Sequence, residues 1–207
     1  MNDPTPAASN RSDAVGSGIR RTVLIVAALN LGYFGIEFLV ALTIGSVSLM
    51  ADSIDFLEDT SINLLIAVAL RWSVKARART GRLLAGVLLV PSVAALWMAW
   101  SKVVQPLPPD AFALSLTGLG ALAVNVSCGY LLVRHRREAG SLGRAAWLSA
   151  RNDALANVAI IGAGGLTVWT YSVWPDVIVG LGIAVLNADA AREVWQAAGS
   201  ESASETA

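Results

Sequence analysis

The sequence predicts an all-α fold: a polytopic membrane protein built as a six-transmembrane-helix bundle with both termini cytoplasmic. Three observations predict it. Hydrophobic residues make up 55% of the 207 residues and charged residues only 14%, whereas a soluble domain carries about 25% charged residues. The apolar residues fall into runs of roughly 20, the length a helix needs to cross about 30 Å of hydrocarbon. Basic residues gather between alternate runs, which is the pattern of cytoplasmic loops.

The chain divides into a tail, a membrane domain and a second tail. Residues 1–19 are polar and rich in Ser, Pro, Asn and Asp, which predicts a disordered N-terminal tail. Gly45-Ser46 and a group of prolines at 106–109 separate apolar runs. The six predicted spans cover residues 22–44, 47–70, 83–103, 111–133, 145–170 and 174–191. The transmembrane domain is therefore residues 20–192, and residues 193–207 form a short cytoplasmic tail.

Basic residues set the predicted orientation. Arg20, Arg21 and the basic stretches at 71–82 and 134–144 all lie on one side if the spans alternate, and the opposite side has Lys102 and little else. Because cytoplasmic loops carry the excess of Lys and Arg, the first of these sides is predicted to face the cytoplasm. The tryptophans fall near predicted span ends, where aromatic belts lie.

Composition also excludes several classes of function. The 15 basic and 15 acidic residues cancel, so no long-range field would attract nucleic acid. The single cysteine, Cys128, cannot form an internal disulfide, and the single histidine, His135, cannot form a zinc finger or a histidine-rich catalytic site. We expect a lipid bilayer around the chain, no resident cofactor and no nucleic-acid partner.

The second predicted span contains four carboxylates, those of Asp52, Asp55, Glu58 and Asp59. One Asp near a helix centre costs about 2.5–3.5 kcal/mol on insertion, whereas a Leu or Ile returns only about 0.3–0.6 kcal/mol. This helix must therefore face partner helices, water or a cation. Simple pairing with arginine is the alternative, but Arg151 alone cannot neutralise four acids.

The fifth predicted span carries a matching polar face. Ser149, Asp153 and Asn157 repeat every four residues and so share one side of a helix. Asp55 lies about 15 Å below one surface and Asp153 about 13 Å above the other, so both reach the middle of a layer about 30 Å thick. Asp55, Asp59, Asp153 and Asn157 are therefore predicted to form an oxygen-rich site for a small divalent cation.

These motifs resemble those of a known family. The stretch 45–52, followed by Asp55 and Asp59, resembles the second span of cation diffusion facilitator (cation efflux) transporters, where an acidic or His residue precedes an Asp by four positions. That family's fifth span carries a His four residues before an Asp. Asp153 matches the Asp, and the position of the His is Ser149 here.

Weaker matches lie in the first and sixth spans. Asn30 and Glu37 in the first span and residues 174–176 at the start of the sixth fit the family pattern, and Asn30 and Glu37 share a helix face. The candidates for contacts behind the metal ligands, or for a proton path, are Asn30, Glu37, Asp52 and Ser149. The roles of Glu58 and Arg151 stay open.

The resemblance implies a function and an assembly. It implies a homodimeric transporter, not an enzyme, that exports a divalent metal from the cytoplasm across a bacterial inner (cell) membrane by alternating access and proton antiport. The family favours zinc, cobalt or cadmium, whereas oxygen ligands in place of a histidine favour harder ions such as manganese. Members usually continue into a cytoplasmic metal-sensing domain. Since only residues 193–207 follow the membrane domain, the sequence suggests a short form without it.

Two alternatives from other classes stay open. One is an intramembrane aspartyl enzyme that uses Asp59 and Asp153 as acid and base; against it, more than two acids converge and no Gly-x-Gly-Asp motif occurs. The other is a proton-coupled organic-cation carrier, which would need an aromatic-lined cavity, whereas the aromatic residues fall at the predicted rims.

Overall fold

The computed structural model describes residues 6–69 and 92–187, without the side chains of residues 6–17, 19, 65, 66, 68, 69 and 134–150. Within these ranges the chain is helical apart from short connections. The helices are α1 Pro6–Ile44, α2 Val47–Ala69, α3 Ser92–Val104, α4 Ala111–Thr170 and α5 Trp174–Asn187. The predicted all-α fold is confirmed for this part of the chain.

The first helix is longer than the sequence predicts. It begins at Pro6, so residues 6–19 are helical in the structure, whereas their composition predicts a disordered tail. Proline is compatible with the first position of a helix, because the N–H it lacks would have no intrahelical partner there. Once the apolar part of α1 has formed, each further residue adds one hydrogen bond without a new nucleus.

A two-residue turn joins α1 to α2, as the sequence predicts. Gly45 has a φ of 65°, a left-handed conformation that glycine adopts without steric cost. The N–H of Ser46 then bonds the Ala41 carbonyl at 3.0 Å, which closes α1 with a Schellman motif. Ser46 also starts α2, because its Oγ accepts the Leu49 N–H at 3.2 Å. We call this part of the bundle the Gly45 end.

The helical run of α4 covers the fourth and fifth predicted spans and doubles back on itself. A straight helix would separate Ala111 from Gly164 by about 80 Å. Instead, a Cβ placed on Gly164 would lie 3.2 Å from the Ala111 carbonyl oxygen, and one placed on Gly118 would lie 3.0 Å from Ile160. The loop predicted at 134–144 is therefore a helical segment within which, or close to which, the chain reverses.

We call the two antiparallel halves of this run α4a (residues 111–133) and α4b (residues 151–170). Asp110 caps α4a, since its Oδ1 accepts the Ala113 N–H at 2.8 Å. Tyr171 ends α4b in a left-handed conformation with its N–H bonded to the Thr167 carbonyl at 2.9 Å. Each half is an independent hydrophobic segment, so the fourth and fifth predicted spans are present as two helices side by side.

One buried apolar cluster joins the helices. Its members come from α1, α2, α3, both halves of α4 and α5, and they include Ala41, Leu49, Ile54, Ala95, Leu114, Ile160 and Ile183. Because every described helix contributes, these segments form one bundle around a shared core.

The bundle is polar inside and apolar outside. Glu37 of α1 and Asn157 of α4b are fully buried, whereas Leu39 is 63% exposed and Leu155 is 62% exposed. Large apolar surfaces of this kind are rare on monomeric soluble proteins. Lipid suits them, because it solvates the leucines while the bundle encloses the polar groups.

Among the described residues, three segments are long and apolar enough to cross a membrane: Arg20–Ile44, Ala111–Val133 and Arg151–Thr170. α2 has 23 residues but carries the four carboxylates, and the described parts of α3 and α5 are shorter apolar helices. The six-span count and the cytoplasmic termini stay predictions. The basic stretch 71–82, the start of the third span, the end of the sixth and the tail 193–207 lie outside the described residues.

Candidate cation site

The acidic helix α2 is anchored at the Gly45 end by α5. Asp176, near the start of α5, is fully buried. Its Oδ1 accepts hydrogen bonds from the hydroxyls of Ser46 at 2.7 Å and Ser48 at 2.6 Å and from the Ser48 N–H at 3.1 Å, and its Oδ2 accepts the Val47 N–H at 2.8 Å. A carboxylate at a helix N-terminus is stabilised by the free N–H groups and the helix dipole. These bonds fix the position of α2 along α5.

The helices are also in close backbone contact there. A Cβ placed on Gly180 would lie 2.7 Å from the Ser48 nitrogen, so only glycine lets α5 approach α2 this closely. Because α2 is a continuous helix, the contacts of Asp176 and Gly180 also fix the position of the α2 carboxylates relative to α5.

Asp55 lies in the interior of the bundle, partly buried, and faces α5. Asn187 donates a hydrogen bond from its Nδ2 to Asp55 Oδ1. Asp52, Asp59 and Asp153 are all close enough to Asp55 for Coulomb interaction with it. The carboxylate of Asp55 is thus held by one amide donor and surrounded by negative charge.

Asp59 lies one turn further along α2 and faces α1. Asn30, which is fully buried, donates from Nδ2 to Asp59 Oδ2 at 3.4 Å. The Asn30 Oδ1 in turn accepts a bond from the Cys128 thiol of α4a at 3.6 Å. A chain of contacts from α4a through α1 therefore orients the Asp59 carboxylate.

Asp153 and Asn157 of α4b lie on the face that the sequence predicts. Asp153 is partly buried and interacts electrostatically with Asp59 and Asp52. Asn157 is fully buried and donates from Nδ2 to the Asp153 carbonyl at 2.7 Å, while its Oδ1 has no hydrogen-bond partner among the side chains and backbone groups that the structure describes. The structure therefore brings the carboxylates of α2 and α4b into one neighbourhood, with an unused amide oxygen beside them.

Glu37 and Asp52 form a second acidic contact. Both are fully buried, and the two carboxyl groups are close enough to interact electrostatically. Neither receives a hydrogen bond from a donor group among the described residues.

Two residues at this site are missing from the sequence-based prediction. Asn187 is an amide in an apolar segment, and that polarity alone could have marked it. Cys128 is buried, and its thiol contacts Asn30 and lies within Coulomb range of Asp59 and Asp153.

The other predicted residues divide into two groups. The side chain of Ser149 lies outside the described residues. Glu58 is partly buried and interacts electrostatically with Asp55 and Asp153, and Arg151 is exposed and donates to Asn152 Oδ1 at 3.3 Å.

Within residues 6–69 and 92–187, no group of three or more His, Cys, Asp or Glu side chains is arranged so that it could hold a metal ion.

Comparison with known proteins identifies the fold. The family model of the cation efflux transmembrane domain matches residues 23–200. The chain belongs to the cation efflux family. No curated protein matches it closely enough to count as a relative.

Family membership settles the coarse function. A cation efflux domain is a metal cation transport domain of an integral membrane protein, and the match runs from within α1 to beyond α5. The resemblance seen in the motif of α2 is therefore confirmed. The family comprises transporters, which is consistent with the expectation that this cation efflux protein is not an enzyme. The ligand set itself stays a prediction.

Proposed function

We propose that this cation efflux protein exports a divalent metal cation through a site formed by Asp55, Asp59, Asp153 and Asn157. The cation would be exchanged for protons, and the bundle would open alternately to the two sides of the membrane. The observation that carries the proposal is that carboxylates from α2 and α4b lie within electrostatic range of one another in the interior of the bundle.

Electrostatics favour a cation at this point. Two ionised carboxylates about 6 Å apart repel by about 3 kcal/mol at an effective dielectric constant near 20. Asp55 interacts with several such groups at once. A divalent cation among them attracts each carboxylate and offsets their mutual repulsion. Buried acids in membrane helices commonly mark an ion pathway.

The hydrogen bonds suggest how the site would receive the cation. Asn187 donates to the Asp55 carboxylate and Asn30 to that of Asp59, and the Asn157 Oδ1 has no partner in the described part of the chain. An arriving cation would replace the two amide donors as the partner of the carboxylates and would add the free oxygen of Asn157. Closing of α4b towards α2 would complete the coordination.

The chemistry of the donors bears on which metal is carried. Carboxylate and amide oxygens favour a hard ion such as manganese, whereas the family prior favours zinc, cobalt or cadmium. Isothermal titration of the purified protein with zinc, manganese, cobalt and cadmium ions would rank them directly. Tightest binding of manganese would support an all-oxygen site.

Proton exchange has its own test. In proteoliposomes loaded with metal, an imposed pH gradient should change the rate of metal flux several-fold, because protons and metal compete for the same acidic interior. A metal flux that does not change with the pH gradient would contradict the antiport part of the proposal.

We further propose that the protein works as a homodimer in a bacterial inner membrane, which cross-linking in native membranes would test.

The transport assay tests the ligand set. Asp153→Asn should lower metal uptake into proteoliposomes about tenfold or more, because it removes one of the negative charges that bind the cation. The matched control is Asp110→Asn, which changes an exposed Asp at the start of α4a. Normal uptake by Asp153→Asn would overturn the site assignment.

The two alternative functions have less support. An aspartyl enzyme acting through Asp59 and Asp153 does not fit a family of transporters. For an organic-cation carrier, a cavity of about 470 Å³ between α4b and α5 is lined mainly by apolar groups such as Leu166, Ile178 and Val179, and none of its described lining residues is acidic. This cavity therefore does not favour an organic cation.

A further inference from the structure

A buried pair of acids lies beside the proposed cation site and is not part of it. Glu37 of α1 and Asp52 of α2 are close enough to interact electrostatically, and both have an exposure of 0%. Asp52 is three residues before Asp55, on a neighbouring turn of α2. All four carboxyl oxygens of the pair are enclosed, and none receives a hydrogen bond from a donor within the described part of the chain.

Nearby hydroxyl groups are engaged elsewhere. Tyr33 is close enough to interact electrostatically with both acids, but its hydroxyl donates to the Thr117 carbonyl at 2.6 Å. Ser53, next to Asp52, donates to the Met50 carbonyl at 2.8 Å. Each hydroxyl has a single hydrogen to give, so neither can satisfy the pair.

Two ionised carboxylates cannot remain in contact under these conditions. Each would be buried without a counter-charge, and each would repel the other at short range. One hydrogen between them removes both penalties, because a carboxylic acid donates a strong hydrogen bond to a carboxylate. A divalent cation would need more oxygen ligands than this closed contact offers.

We propose that Glu37 and Asp52 form a proton-binding site, separate from the metal ligands, that holds one proton while the cation site is empty. This inference rests on the proposed function. When metal binds at Asp55 and Asp59, its positive charge favours the ionised form of the pair. The proton then leaves to the water on the side to which the site is open, and the pair becomes two carboxylates.

The electrostatic neighbours of the pair support this linkage. Glu37 interacts with Asp52 and Asp55, and Asp52 with Asp55, Asp153 and Tyr33. Apart from the neutral Tyr33, these neighbours are acids, and Asp55 and Asp153 are proposed metal ligands. Metal binding therefore makes the electrostatic potential at the pair less negative. This change favours loss of the proton from the pair even when the metal ligands themselves carry no proton.

The test counts protons released when metal binds. The purified full-length protein is titrated with manganese or zinc ions in weakly buffered detergent solution with a pH indicator. Glu37→Gln and Asp52→Asn should each bind metal but release about one proton fewer than wild type, because an amide already supplies the hydrogen. Their metal Kd should accordingly change about tenfold less per pH unit, since each linked proton contributes a factor of ten. Asp110→Asn is the control and should release as many protons as wild type.

The outcomes separate the two proposals. If wild type binds no metal, the proposed function fails. If wild type binds metal and both variants release as many protons as wild type, the pair carries no coupled proton and this inference is overturned.

A measurement on wild type covers the case in which neither variant folds. Infrared difference spectra on metal addition should show the loss of a protonated carboxyl band. A spectrum without that loss would also overturn the inference.

Discussion

Two regions of the bundle bury carboxylates in or against α2, and they differ in the hydrogen-bond donors that surround these carboxylates. At the Gly45 end, Asp176 is surrounded by donors: two serine hydroxyls and the N–H groups of Val47 and Ser48. In the acidic interior, by which we mean Glu37, Asp52, Asp55, Asp59 and Asp153, each acid interacts electrostatically with at least one other acid. Glu37 and Asp52 have no donor within the described residues.

The difference separates structural acids from functional ones. A buried carboxylate that receives several hydrogen bonds and a helix dipole is stable as an anion and holds the helices together. A buried carboxylate without donors, next to others of the same charge, is stable only with a proton or a cation. The same residue type therefore anchors α2 at one end and makes its middle responsive to ions.

The largest effect on stability is expected from Asp176→Ala. It leaves the buried N–H groups of Val47 and Ser48 without acceptors, and each unsatisfied group costs about 1–3 kcal/mol. The control is Asp110→Ala, which removes an exposed helix cap worth about 1 kcal/mol. Unfolding in detergent, followed by circular dichroism, measures both. If the two variants lost the same stability, the Gly45 end would not be an anchor.

Asp52→Asn should change stability in the other direction. The amide supplies donors to Glu37 and removes one of two facing acids, so we expect a gain of about 1 kcal/mol. The gain should grow as the pH rises, because wild type loses its shared proton while the variant keeps its amide hydrogens. The same unfolding experiment at two pH values checks this. A loss of stability on the scale of Asp176→Ala would mean that Asp52 is a structural anchor too.

The smallest effect is expected at Cys128. Its thiol donates to Asn30, which donates to Asp59. Cys128→Ser keeps a donor and should change metal Kd less than about threefold, whereas Cys128→Ala should weaken binding slightly more, since one hydrogen bond contributes about 1 kcal/mol. Titration calorimetry with cadmium and manganese compares them. A loss of more than about tenfold for cadmium alone would show that the thiol is itself a metal ligand.

The sequence predicts best those features that depend on residue spacing within a single helix. The break at Gly45, the acidic face of α2 and the polar face at Asp153 and Asn157 all follow from local spacing. Partners such as Asn187 for Asp55 depend on how each helix is rotated in the bundle, which no local pattern contains. The extension of α1 to Pro6 was not predicted for another reason: polar composition predicts a tail, but it does not prevent an apolar helix from continuing into the polar residues before it.

The loop predicted at 134–144 was inferred from charge, which locates a membrane boundary but does not end a helix. For that reason the reversal of α4 follows from tertiary contacts such as those of Gly118 and Gly164.

The central claim is that carboxylates from α2 and α4b bind one cation together. A double-mutant cycle on metal affinity tests it most directly, with Asp55→Asn, Asp153→Asn and the double variant titrated calorimetrically. We expect each single variant to weaken binding about 10–100-fold, and the double variant to lose much less than the product, with a coupling of about 1–3 kcal/mol. Strictly additive losses, or unchanged affinity in Asp153→Asn, would contradict a shared site.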